Sequence, residues 1–253
     1  MNTENYLRRI GVEKNDIEPI AENLSVLQRQ HLLNVPFENL DIHWNRPILL
    51  DTEKFYRKIV EEKRGGFCYE LNASFNELLR NIGFQTRLLS ARVSVGDAVF
   101  TDEYAHLAIA VTIGELEYLA DVGFGAFTAE PLRVACDLEQ QDATGVFVLR
   151  RFDDGYLEVA KKEDDGWRSE YIFKPLGRDL SEFADACIYQ QTSPESHFTK
   201  SKVCSLMTEN GRKTLTDTKF IETKNGEKRE TEISSDEEFD QILAREFHIE
   251  RSQ

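Results

Sequence analysis

The sequence predicts an α+β protein: a helical bundle, then an antiparallel sheet curled into a barrel, then a small mixed α/β unit. Three observations carry that prediction. Apolar residues recur at helical spacing up to about residue 85, the period changes to two from Thr86, and after Pro175 short strands alternate with capped helices. These changes place the boundaries at residues 1–85, 86–190 and 191–253. A chain of 253 residues buries an adequate core without disulfides or metals.

In the first part, Asp51 caps a segment in which Phe55, Tyr56, Ile59 and Val60 share a face. Gly65-Gly66 breaks the chain, and a second helix follows from about Phe67 to Asn81, closed by Gly83. Its Cys68, Leu71, Phe75, Leu78 and Ile82 form one apolar stripe. In the middle part, Val93 and Val95 alternate with Arg92 and Ser94, while Leu107, Ile109, Val111 and Ile113 alternate with His106, Ala108, Ala110 and Thr112. Turn signals at Gly114-Glu115, Asp153-Asp154-Gly155 and Asp164-Asp165-Gly166 separate these runs and make the sheet antiparallel. A helix from about Ser181 to Gln190 comes next, then a hairpin at Asn225-Gly226. The last helix begins at Ser235 with Glu238 as its capping-box partner, and buries Phe239, Ile242, Leu243 and Phe247.

Composition narrows the function classes. Hydrophobic residues at 40% and charged residues at 30% describe a soluble globular chain, not a disordered one. A net charge of −15 repels phosphate backbones, so no nucleic-acid partner is expected. The longest apolar run, Ala105–Gly114, is strand length, so no membrane span is expected. The opening Met1-Asn2-Thr3-Glu4-Asn5 lacks the basic and apolar regions of a signal peptide, which predicts a cytoplasmic protein. Cys68, Cys136, Cys187 and Cys204 form no CxxC pair and read as free thiols; the five scattered histidines give no metal-ligand spacing, so no metal is expected.

Cys68 is the candidate nucleophile. It opens a helix, so main-chain N–H groups of the first turn face its sulfur and favour thiolate. The same N–H groups are candidates to stabilise a tetrahedral oxyanion. Gly65-Gly66 lets the chain turn sharply and a ligand approach, and Arg64 adds positive charge. The competing reading makes Cys68 a small hydrophobe on its stripe. Register supplies a base. If Gly114-Glu115 is a two-residue loop, Ile113 pairs with Leu116, His106 lies opposite Gly123 and Asp121 opposite Ala108. His106 and Asp121 then share a face as diagonal neighbours about 7–8 Å apart at the backbone, within side-chain reach. Ala108 and Ala110 leave room on that face. Asp121 has a second possible role, capping the turn Gly123-Phe124-Gly125, whose glycines suit close approach of a ligand. Cys136, Cys187 and Cys204 have no such surroundings and read as packing residues.

Arg64-Gly65-Gly66-Phe67-Cys68-Tyr69-Glu70-Leu71-Asn72 resembles the active-site motif of the arylamine N-acetyltransferases, and Val35-Pro36-Phe37-Glu38-Asn39-Leu40 their N-terminal signature. Ala105-His106-Leu107, Asp121-Val122-Gly123-Phe124-Gly125 and Ser193-Pro194-Glu195-Ser196-His197-Phe198 resemble three further family segments, in order. The resemblance implies a helical bundle, a β-barrel and an α/β lid with a papain-like Cys-His-Asp arrangement. It implies acetyl-CoA as donor cosubstrate and an arylamine, arylhydrazine or arylhydroxylamine as acceptor, joined by a ping-pong route. Cys68 is then the nucleophile, His106 the base and Asp121 its orienter. Phe37, Val93 and Phe124 line the acceptor pocket, Phe198 lies near coenzyme and acceptor, Gly125 contacts the coenzyme, and Glu38–Arg64 is a structural ion pair. The longer mid-chain insertion of vertebrate members is missing, which implies an open cleft of the prokaryotic type. Rival readings are an amide synthase or other cysteine acyltransferase with a different donor, a transglutaminase-like cysteine hydrolase, and a non-catalytic binding protein.

Overall fold

A computed structural model describes residues 1–13 and 17–251. Helices α1 (Thr3–Arg9) and α2 (Ala21–Asn34) lead into a two-residue strand, β1 (Phe37–Glu38), a single turn α3 (Leu40–His43), α4 (Thr52–Tyr56) and α5 (Cys68–Ile82). The Asp51 carboxylate accepts the Glu53 and Lys54 N–H groups and starts α4 as expected. After Tyr56 the chain widens into a π-helical stretch, Arg57–Glu61, in which Lys58 is buried. Helix α5 stops at Gly83, whose φ of +113° only glycine adopts readily.

The barrel is built from β2 (Gln85–Gly96), β3 (Val99–Phe100), β4 (His106–Ile113), β5 (Leu116–Ala120), β6 (Leu132–Arg133), β7 (Gln140–Asp142), β8 (Gly145–Arg151), β9 (Leu157–Glu163) and β10 (Gly166–Arg178). The strand order is β6-β5-β4-β2-β10-β9-β8-β7, antiparallel throughout, with β3 attached to β2. A side chain bridges the two edges. The Gln140 amide accepts from the Arg133 N–H (2.7 Å) and donates to the Arg133 carbonyl (2.9 Å), as a ladder residue would. The predicted alternation decides which core each β4 residue joins. Leu107, Ile109 and Val111 pack with Phe75 and Leu78 of the helical part, while Ala108 and Ala110 point into the barrel beside Phe147, Tyr171 and Phe173. The room expected around those alanines is filled by the barrel's own aromatic rings.

After a 3₁₀ turn at Leu180–Phe183, α6 (Ala184–Thr192) packs back on the helical core through Cys187. Next come α7 (His197–Lys200), strands β11 (Val203–Thr208), β12 (Gly211–Thr216), β13 (Lys219–Lys224) and β14 (Glu227–Glu232), and α8 (Asp236–Phe247). Asn225-Gly226 is a two-residue loop with φ of +51° and +83°, the hairpin its sequence predicts. The Ser235 side chain caps α8 at the Glu238 N–H. The second sheet runs β1-β11-β12-β13-β14, so Phe37-Glu38 is a strand of the C-terminal sheet. Two residues are too short to show a period, and sequence patterning holds no sign of β1. No helix among the described residues is long and apolar enough to cross a membrane.

Candidate active site

The turn before Cys68 is held from three sides. A Cβ on Gly65 would lie 1.9 Å from the Pro36 carbonyl oxygen, and one on Gly66 would lie 2.8 Å from the Glu70 Cβ. These glycines therefore admit the protein's own chain, not a ligand. The Glu38 N–H donates to the Gly66 carbonyl at 2.8 Å, and a Glu70 oxygen accepts the Phe67 N–H at 3.0 Å. Beneath the turn, the expected Glu38–Arg64 pair is part of a larger buried cluster. Arg64 Nη2 lies 2.7 Å from Glu38 and 2.9 Å from Asp41; Lys58 Nζ lies 2.7 Å from Asp41, 2.8 Å from Glu70 and 3.6 Å from Glu38. Burial pushes the Glu70 carboxyl up to about 7 against the pull of Lys58.

Cys68 is buried at the first position of α5. Burial pushes its thiol well above the usual range, and the Asp121 charge adds to this, while the main-chain N–H groups of Leu107 and Tyr69 favour the thiolate. The Leu107 N–H belongs to the peptide that joins it to His106, so the sulfur sits beside the imidazole's own strand. Tyr69 Oη donates to the Tyr104 carbonyl at 2.8 Å and ties the first turn of α5 to the start of that strand.

The β4–β5 register is the one predicted: Ile113 pairs with Leu116, and the ladder runs to Ile109–Ala120. It brings His106 Nε2 to 2.7 Å from Asp121 Oδ2, both side chains buried. Oδ2 also accepts from Tyr171 Oη (3.2 Å), and Oδ1 accepts from Asn72 Nδ2 (2.8 Å) and the Gly123 N–H (2.9 Å). Asp121 thus both orients His106 and caps the glycine turn. Since a carboxylate only accepts, Nε2 carries the proton toward it, and Nδ1 is the nitrogen left to exchange protons.

Two aromatic groups flank these residues. Phe37 and Phe198 pair at 6.0 Å between ring centroids, and Phe198 also meets Phe67 at 5.8 Å. Phe124 instead stands 5.0 Å from the His106 ring and 5.1 Å from Tyr171, and Val93 is the cross-strand partner of Tyr171. Asn39 joins two of the motifs: its Nδ2 donates to the Phe198 and Ser201 carbonyls at 2.9 and 2.8 Å. All four cysteines are free, and among the described residues no cluster of His, Cys, Asp and Glu could hold a metal ion.

The N-acetyltransferase family profile matches residues 21–252. A pineal gland arylamine N-acetyltransferase of Gallus gallus is 32% identical over 98% of this chain and 94% of its own length. The chain belongs to the arylamine N-acetyltransferase family. Among solved structures, the arylamine N-acetyltransferase of Salmonella typhimurium superposes with a TM-score of 0.93 at 27% identity, covering 99% of this chain and 92% of that one. The Mycobacterium marinum enzyme in complex with CoA superposes at 0.89, with 27% identity and coverage of 98% and 93%.

In this chain the loop after Asp121 opens on a cleft of about 600 Å³ between barrel and C-terminal sheet. Arg29, Lys161, Arg212, Phe127 and Gly211 line it. Gly125 has a φ of +87° and open space where a side chain would stand; its carbonyl accepts from Arg212 Nη2 at 2.7 Å. Burial pulls Arg212 down to about 10, and among the described residues no carboxylate forms an ion pair with it. Three residues that hold the site went unassigned in the sequence: Tyr171, Asn72 and Gln28. Tyr171 reaches Asp121 next to a bulge, where the β10–β9 register slips between Ser169 and Tyr171. Asn72 lies one helical turn after Cys68, the one signal that could have marked it.

Proposed function

We propose that this N-acetyltransferase moves an acetyl group from acetyl-CoA to an arylamine, arylhydrazine or arylhydroxylamine through an acetyl-Cys68 intermediate. The observation that carries the reading is the 2.7 Å His106–Asp121 bond on the strand whose Leu107 N–H faces the Cys68 sulfur. A lone thiolate there is disfavoured by burial, so the thiol proton passes to His106 Nδ1 and the sulfur ionises as one half of a pair. The sulfur attacks the thioester carbonyl, the tetrahedral adduct collapses, and coenzyme A leaves as its thiol with the proton from His106. The amine then attacks acetyl-Cys68 while Nδ1 takes its proton, and collapse of this adduct releases the amide and restores the thiol.

Phe124 and Val93 on one side, with Phe37 and Phe198 on the other, offer apolar faces for a flat ring. Gly125 and Phe198 are the proposed coenzyme contacts, and the cationic cleft at Arg212 and Lys161 fits an anionic tail. No metal takes part in the reading. The proposed location is cytoplasmic, nucleic acid is no partner for so acidic a chain, and the three-part division at residues 85 and 190 stands as part of the proposal.

The test is to incubate the protein with acetyl-CoA, omit any amine, and locate the adduct by mass spectrometry. One acetyl group on Cys68, discharged by an aniline, supports the reading. An adduct on another cysteine, or water discharging it as fast as an aniline, overturns it in favour of a hydrolase.

A further inference from the structure

Gln28 is fully buried on α2, and among the described residues its side chain makes one hydrogen bond: Oε1 accepts from the main-chain N–H of Asp121, at 3.1 Å. That N–H needs a partner because the β4–β5 ladder ends one residue earlier, at Ala120. Asn72 Oδ1 takes the next amide, Val122, at 2.9 Å. Two side chains from two helices thus replace the ladder where the chain leaves it.

The Gln28 Nε2 has no hydrogen-bond partner among the described residues. Leaving a buried donor unmet is costly, and a methionine of similar volume would remove it. Turning the amide over would set Nε2 against the Asp121 N–H, donor facing donor, so that bond fixes the orientation. For packing alone, beside Leu24, Leu27 and His31, an apolar side chain serves better. The glutamine is explained by what it holds.

We infer that Gln28 is a positioning residue that fixes the Asp121 peptide plane so that the carboxylate meets His106 in line. The inference rests on the proposed Cys68–His106–Asp121 chemistry. It acts through Asp121 and touches neither substrate nor sulfur.

The test compares Gln28→Met and Gln28→Asn with the unaltered protein; the second keeps the amide but withdraws the oxygen by one methylene. Three readouts are needed: the rate of Cys68 acetylation by acetyl-CoA, the pH dependence of Cys68 alkylation, and the proton NMR signal of the His106 Nε2–H. The expected result is acetylation slowed roughly 10-fold, an alkylation profile moved to higher pH and a displaced imidazole signal, with the KM for an aniline unchanged. Gln28→Asn decides the matter if Gln28→Met does not fold. Wild-type rate, profile and signal in a folded variant overturn the inference, whatever its melting temperature. If the unaltered protein takes no acetyl group, the functional reading fails separately, and the imidazole signal still tests the positioning.

Discussion

Gly123 lies against the backbone of Cys68: a Cβ placed on it would stand 2.8 Å from the Cys68 Cα and 2.7 Å from Asn72 Nδ2. The loop that carries Asp121 and the helix that carries the sulfur therefore meet with no space between them. The sequence suggested that this glycine clears a path for ligand. It clears one for the helix.

Gly123→Ala should therefore disturb both stability and catalysis. Overpacking against main chain costs about 1–3 kcal/mol, so the melting temperature should fall by several degrees. Acetylation of Cys68 should slow more than the stability loss explains, because Asn72 and Asp121 must shift together. Calorimetry and single-turnover acetylation measure the two effects, and a variant that melts and acetylates like the wild type would count against the contact.

Asp121→Asn keeps the size of the side chain but places an NH₂ among four donors: His106 Nε2, Tyr171 Oη, Asn72 Nδ2 and the Gly123 N–H. At least one of these must lose its acceptor, and the imidazole can reverse its tautomer. The analogous change in a serine protease lowers kcat about 10⁴-fold. A thiol is more acidic than a serine hydroxyl, so the expected loss is roughly 10²–10³-fold, with the Cys68 alkylation profile moved to higher pH. If Asp121 only capped the turn, stability would fall and that profile would stay, an outcome that would falsify its orienting role.

Glu70 predicts a pH dependence of stability. Its carboxyl is raised to about 7 by burial, against the pull of Lys58, above the usual carboxylate range. The native state therefore binds more protons than the unfolded one between about pH 4.3 and 7. The stability this group contributes is present below that window and is lost as pH rises through about 7. A glutamine side chain at this position would still accept the Phe67 N–H, so Glu70→Gln should flatten this part of the melting curve against pH. An unchanged slope between pH 5 and about 7 would contradict the assignment.

Arg212→Met should raise the KM for acetyl-CoA roughly 10-fold, the loss of one charged contact worth about 1.5 kcal/mol. Acetylation by p-nitrophenyl acetate, which carries no phosphate, should change little. Lys161→Met is the companion variant, since it lines the same cleft without bonding the Gly125 carbonyl. Equal losses with both donors would place the effect in the Gly125 loop instead of the cleft.

What could be read from the sequence was what neighbours along the chain determine. Gly114-Glu115 set the register from Ile113–Leu116 onward, and that register carried Asp121 to His106; the double glycine and the helix stripe marked Cys68. Residues brought in from far away left no such trace. Tyr171 owes its place to a one-residue bulge, and Gln28 reaches a main-chain amide 93 positions away. Lys58 carries no signal in the sequence, because only the fold sets three carboxylates around it.

Strand β1 bears on how the protein is made. Phe37-Glu38 has its antiparallel partner in Cys204-Ser205 and its parallel neighbour in Gly66. During synthesis, Cys68 and its helix leave the ribosome well before that partner exists. Until Val203–Thr208 has been added, β1 is paired on one side only, so a nascent or truncated chain can hold the helical core while the strand that braces the Cys68 turn lacks its sheet.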